Sequence, residues 1–196
     1  MVGGSRRRLR LGALLAVCAV LVAVLVVRGF VAEVREVDSD SMAPTLEPGE
    51  RVLVQRAGVD RWSLPRGTVV VFDAADLWVP ASDPGGTAFV KRIVGVGGDR
   101  ITCCDDAGRL LRNGRHVAEP YLADPRSDQE AFDIVVQPGH YWMMGDNRVG
   151  SADSRAHLGD PGGGSVPASR IIGTVEAVVW PLGSSGRVEG SDGGAA

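Results

Sequence analysis

Apolar positions along the chain fall into two regimes. From Leu11 to Val27 the run LGALLAVCAVLVAVLVV carries no charge. At ~1.5 Å rise per residue, a helix through it approaches bilayer thickness, and GFVAEV extends it beyond Arg28. After that the pattern breaks into short pieces: VREVDS, RVLVQ, GTVVVF, AFVKRIVGV, DRITCC, RLLRNG, IVVQPGHYWMMG and RIIGTVEAVVW. They are rich in Val, Ile and aromatics and are separated by Gly, Pro or Asp, which is the punctuation of strands. Asn113–Gly114, between RLLR and RHVAEP, predicts a two-residue hairpin. No helical period of useful length follows the apolar run. The pattern predicts a mostly β domain, an antiparallel coiled sheet or barrel-like fold, behind one N-terminal helix. Stretches 73–88 and 157–169 read as loops, and the Gly/Ser-rich tail 184–196 as disordered.

Charge orients this layout. Arg6, Arg7, Arg8 and Arg10 precede the apolar run, while Arg28 and Arg35 follow it closely. A cleaved secretory signal has an apolar core of about 7–15 residues and small residues before the cut. This run is longer, and VRGFVAEVRE offers no such site. Val17 before Cys18 does not suit a lipoprotein anchor either. An uncleaved, single-pass membrane anchor fits best, with the N-terminus cytoplasmic. The expected division is 1–10 cytoplasmic, 11–33 transmembrane, 34–183 an extracytoplasmic domain, then the tail. The lipid bilayer is thus the first expected partner. Trp62 and Trp78, with Leu64 and Phe72 nearby, are candidates for the lipid interface or for the core.

The 196 residues suit one folded domain, and a formal net charge of −3 leaves no basic footprint for nucleic acid. His116, His140 and His157 are scattered, and the cysteines show no C-x-x-C spacing, so neither a metal nor another cofactor is expected. Cys18 lies in the anchor. Cys103 and Cys104 are adjacent, and an exterior compartment permits a bridge between them.

Lys91, in FVKRIVGVGGD, changes the picture. It is the only lysine among 21 basic residues. A stray surface lysine is one reading. The other is chemical: arginine stays protonated in proteins, whereas a buried lysine can lose its proton and act as a base. A base needs a nucleophile. DSDSMAPTLEPGERVLV offers Ser39 and Ser41, just after a short strand. Alternation along an extended strand puts Val37, Ser39 and Ser41 on one face, and Asp38 and Asp40 on the other. A turn-rich polar loop is the plain alternative. A third stretch, MGDNRVGSADSR at 144–155, concentrates Asp146, Asn147, Arg148, Ser151, Asp153, Ser154 and Arg155. Such density suits an ion-paired loop bracing a site, or a solvated surface loop.

SDSMAPTL, RGTVVVF, FVKRIVGVGGD and GDNRVGSADSR, in this order behind an N-terminal anchor, resemble the sequence boxes of bacterial type I signal peptidase, a Ser–Lys leader peptidase. The resemblance spans about residues 37–182 and implies a membrane-bound serine endopeptidase. Such an enzyme cleaves the signal peptides of exported preproteins after small residues at −1 and −3. It implies Ser41 as nucleophile, Lys91 as general base, and Ser39 with the Ser41 backbone N–H as oxyanion hole. Ser151 would orient the lysine, and Asp153 and Arg155 would form an ion pair behind it. Val37, Met42, Leu46, Phe89 and Val90 flank these positions and are candidates for the walls of the S1 and S3 pockets. The translocation machinery is a candidate neighbour. Three other readings remain: a related autoproteolytic repressor with a Ser–Lys dyad, a Ser-His-Asp hydrolase using His140 or His157, and a non-enzymatic anchored β-domain binding envelope components.

Overall fold

The computed structural model describes residues 3–124, 126, 131–188 and 190, with helix side chains described for 12–25 and 31. Helix α1 runs Gly3–Val31. Its described side chains are exposed, Leu15 at 63% and Leu25 at 69%. Among the described residues no helix is long and apolar enough to cross a membrane. The helix ends two residues before the expected boundary at 33, because Ala32 already belongs to a strand.

Among the described residues twelve strands follow: β1 Ala32–Glu36, β2 Arg51–Gln55, β3 Val69–Asp73, β4 Ala88–Val96, β5 Arg100–Cys103, β6 Leu111–Arg112, β7 Arg115–His116, β8 Phe132–Val135, β9 His140–Met144, β10 Val166–Pro167, β11 Ile171–Trp180 and β12 Gly186–Arg187. The larger sheet is ordered β1-β2-β11-β3-β4-β9-β10, with β12 beside β11, and a second sheet is ordered β7-β6-β5-β8. The described strand pairs are antiparallel. Register shifts in β11 and β4 bend the larger sheet. A bulge adds local twist, so the sheet curls into a half-barrel.

Its centre reads directly from VVVFD. β3 is buried on both faces, as a central strand must be. Val70 and Phe72 join one cluster with Ile93, Tyr141, Met143 and Trp78. Val69 and Val71 join the other with Val37, Met42, Leu46, Val52 and Val54. Gly173 in β11 is required by close approach: a Cβ there would lie 2.2 Å from the Gln55 carbonyl oxygen.

Several expectations shift. IVVQPGHYWMMG reads as one segment, yet β8 and β9 lie in different sheets, parted at Pro138–Gly139, where Gly139 takes φ 73°. The loop 73–88 is folded: Trp78 packs edge-on against Phe72 at 5.0 Å and stacks on His157 at 4.7 Å, so it is core. Trp62 remains 68% exposed. The expected hairpin forms, with Asn113 and Gly114 at φ 55° and 77°. The tail does not begin disordered, since β12 pairs with β11 at Ala177–Val178; residues 189 and 191–196 lie outside the described residues. Cys103 and Cys104 are joined in a disulfide, and Cys18 is free.

Candidate active site

The segment after β1 does not stay extended. Ser39 is the last extended residue, at φ −137° and ψ 160°, and Asp40–Met42 form one 3-10 turn closed by Ala43 N–H donating to Asp40 O at 2.9 Å. The pleat alternation expected for Val37, Ser39 and Ser41 therefore fails beyond Val37. The turn, not a strand face, sets the two hydroxyls: Ser39 Oγ lies 3.2 Å from Ser41 Oγ. Ser39 is exposed while Ser41 is buried, at 8%. Ser41 N–H sits in the first turn, where amide donors have no intrahelical acceptor.

Lys91 lies mid-way along β4, opposite Val70 of β3, and is 3% exposed. Its Nζ is 2.7 Å from Ser41 Oγ and donates to Val90 O at 3.1 Å. It also lies 5.8 Å from the centre of the Phe89 ring. Burial pushes the amine from 10.5 down to about 8, while the charges of Asp153 and Asp146 partly oppose the shift. Asp38 and Asp40, the carboxylates nearest Ser41 in sequence, are exposed.

The stretch after β9 wraps this pair from behind. Asn147 N–H donates to Ser41 O at 3.1 Å, and Asn147 Nδ2 to Asp40 O at 3.3 Å. Asp153 is fully buried. It accepts from Arg155 Nε at 2.8 Å, from Arg155 Nη2 at 2.7 Å and from Gly145 N–H at 3.0 Å. Gly145 has no room for a side chain: a Cβ would stand 2.3 Å from both Ser41 O and Ser151 Oγ. Ser151 is thus buried beside the site, but its Oγ makes no hydrogen bond among the described residues, and Lys91 bonds to Ser41 and Val90 instead.

The candidate pocket residues divide. Val37, Met42 and Leu46 are buried in one cluster, with Val90 packed against it. Phe89 packs on the opposite face of the sheet, the face of Phe72 and Trp78. Met42 and Leu46, at 1% and 0% exposure, are closed core positions here. A cavity of about 690 Å³ lies between Trp62–Arg66 and Pro138–Tyr141 and touches none of these residues. A smaller one of about 290 Å³ reaches Ala43, Pro44 and Asn147 beside the turn. No cluster among the described residues is arranged to hold a metal.

A family model described as signal peptidase, peptidase S26, matches residues 10–180. The chain belongs to this family. It is therefore a hydrolase of the signal peptidase type, and relatives along most of its length agree. Signal peptidase I of Mycobacterium tuberculosis (strain H37Rv) is 36% identical over 220 residues, covering 90% of this chain and 74% of the relative. Signal peptidase I of Bacillus licheniformis is 34% identical over 176 residues, covering 85% and 87%. A crystal structure of a signal peptidase I from Enterococcus faecalis aligns with TM-score 0.43 and 23% identity, over 57% of this chain and 96% of that one.

Sequence reasoning missed part of the candidate site. Arg92, next to Lys91 but on the other face of β4, is fully buried. Its Nε and Nη2 donate to Asp146 at 2.9 and 2.7 Å, and Nη1 donates to Gly67 O at 2.7 Å. Glu119 and Tyr121 approach the same region from an irregular stretch. One signal was available: alternation puts one residue of a Lys-Arg pair on each face of a central strand, and a buried arginine needs a carboxylate.

Proposed function

We propose that this chain is a membrane-anchored serine endopeptidase that cuts signal peptides from exported preproteins with a Ser41–Lys91 dyad. One observation carries the reading: a buried lysine amine, its pKa near 8, within 2.7 Å of a serine hydroxyl. A serine hydroxyl attacks a carbonyl only when a base removes its proton, and a lysine at its reference value of about 10.4 cannot serve. Desolvation supplies the shift. Neutral Lys91 takes the Ser41 proton as Oγ bonds to the scissile carbonyl carbon. The carbonyl oxygen then carries the charge, and Ser39 Oγ and Ser41 N–H donate to it. Collapse breaks the C–N bond, Lys91 returns the proton to the leaving amine, and the mature chain departs. Water repeats the cycle on the acyl-serine.

The substrate class follows the family: the relatives are themselves signal peptidases. A preference for small residues at −1 and −3 belongs to the same reading: of the candidate wall residues Val37 and Val90 share one face of the sheet and Phe89 lies on the other, and apolar walls exclude bulk better than they attract it. The apolar run 11–27 and the arginines before it support a single-pass anchor with the N-terminus cytoplasmic, residues 1–10 inside and the peptidase domain outside. The bilayer is then a working partner, and the translocation machinery a neighbour. Ser151, buried beside the site, takes the role of orienting the lysine amine in this reading.

The deciding test is the pH–rate profile of Lys91→Arg. Guanidinium keeps the positive charge but cannot accept a proton. Wild-type cleavage of a preprotein should rise with pH through a midpoint near 8, since only neutral Lys91 works. Lys91→Arg should be folded by circular dichroism and at least ~10³-fold slower. An active Lys91→Arg enzyme ends the dyad reading.

A further inference from the structure

Glu119 and Tyr121 belong to a stretch of irregular chain that follows β7, and neither belongs to the residues implied by the family resemblance. Both side chains turn inward. Tyr121 lies under the guanidinium of Arg92, whose Cζ is 3.9 Å from the ring centre. Its hydroxyl donates to Glu119 Oε1 at 2.7 Å. Glu119 in turn pairs with Arg148, whose Nη1 donates to Oε2 at 2.9 Å; both side chains are nearly fully buried. Those two arginines hold the stretch after β9. Arg92 grips Asp146, and Arg148 Nε donates to Gly145 O at 3.0 Å. Gly145 is the residue pressed against Ser41 O and Ser151.

We propose that Glu119 and Tyr121 form a strap that positions Arg92 and Arg148 and thereby sets the proton affinity of Lys91. They are positioning residues: neither touches Ser41 or Lys91. The inference rests on the dyad reading for its catalytic consequence, not for its effect on Lys91.

The electrostatics follow from what faces the amine. The 3-10 turn presents Ser41, and β3 presents apolar Val70. The stretch after β9 supplies the two charges that act on Lys91, Asp153 and Asp146. Arg155 holds Asp153, and Arg92 holds Asp146. A cation flat on an aromatic face is held by the ring's quadrupole, more strongly when buried. Without the Tyr121 ring, Arg92 neutralises Asp146 less completely, and the exposed carboxylate field holds the Lys91 proton more tightly. Without the Glu119 charge the sign reverses: buried Arg148 loses its counter-ion, the local potential turns more positive, and Lys91 gives up its proton more easily.

Lys91 is the sole lysine of the chain, so its ionisation is directly observable. The full chain, carrying [ε-13C]lysine in detergent, shows one side-chain resonance to titrate. Tyr121→Leu should raise the midpoint by about half a pH unit or more, a roughly threefold change in proton affinity. Glu119→Gln, which keeps shape, should lower it. Tyr121→Phe, which keeps the ring, should stay near the wild-type value. The acid limb of the pH–rate profile should move with each. Unchanged midpoints in folded Tyr121→Leu and Glu119→Gln, or shifts of the same sign in both, overturn the strap. Should Tyr121→Leu not fold, Glu119→Gln alone decides by the direction of its shift. The resonance titrates whether or not Lys91 is the base, so an active Lys91→Arg enzyme would remove the dyad while leaving this result standing.

Discussion

Ser39 and Ser41 are both serines, two residues apart, and should fail differently. On the proposed mechanism Ser41→Ala removes the attacking oxygen, and cleavage should fall to background. Ser39→Ala removes one oxyanion donor while the Ser41 backbone N–H remains, so about 10²–10³-fold of kcat should be lost and measurable turnover kept. Equal, complete loss in both, measured on a peptide substrate, would contradict the division of labour. Lys91 makes a second residue-scale prediction, in stability. Its amine releases its proton at about 8 when folded, against a reference of 10.5. Between those values the unfolded chain binds more protons, so stability rises with pH across that window. Below pH 8 the full cost applies, on the order of 3 kcal/mol. Lys91→Met should therefore be inactive yet more stable than wild type at pH 7 in urea denaturation. The gain should shrink as pH rises toward 10.5, and a gain independent of pH would mean that the amine is not desolvated. The lone lysine and paired serines were legible because chemistry limits which side chains can do such work. That Asp146 and Asp153, not Asp38 and Asp40, act on the amine was not legible, because it depends on which carboxylates a distant loop carries inward.

At the scale of elements, β4 and β9 bring the site together. Arg92 pairs with Met144 across these strands, so the stretch that follows β9 emerges beside Lys91. Most strands could be read from Val/Ile runs and turn residues, and the Asn-Gly hairpin from its dipeptide. Two features could not. The strand leading to Ser41 ends at Glu36, and the 3-10 turn that follows at Asp40–Met42 is a tertiary choice. The division of IVVQPGHYWMMG between two sheets depends on partners far away in sequence. Gly145 joins these elements and gives a sharp test. Gly145→Ala places a methyl against Ser41 O and Ser151, so the turn must move. Overpacking of this kind costs about 1–3 kcal/mol in stability. The turn it displaces carries Ser41, the proposed nucleophile, so activity should fall by more than that stability change would account for. A variant as active as wild type would show that the turn tolerates displacement.

At the scale of the whole molecule, helix α1 and the β domain meet at Val31–Ala32. That junction decides where a soluble form can be cut. Ala32 and Glu33 pair with Gln55 and Val54, Glu33 binds Arg56, and Arg56 N–H donates to Val31 O at 2.8 Å. Removal of residues 1–30 spares these contacts, whereas a cut at 33 strips the head of an edge strand. The 1–30 deletion should remain folded and should cut a soluble peptide in detergent about as fast as the full chain, because Ser41, Lys91 and the stretch at 144–155 all lie beyond the cut. Preproteins embedded in vesicles pose a different problem. There a membrane-bound enzyme shares two dimensions with its substrate, and the local concentration rises without any new contact. The deletion should therefore process vesicle-embedded preprotein at least ~10-fold more slowly than full-length enzyme, with little change on the soluble peptide. Equal rates in vesicles would remove the helix from the mechanism, and equal losses on both substrates would mean that the helix supports the fold instead.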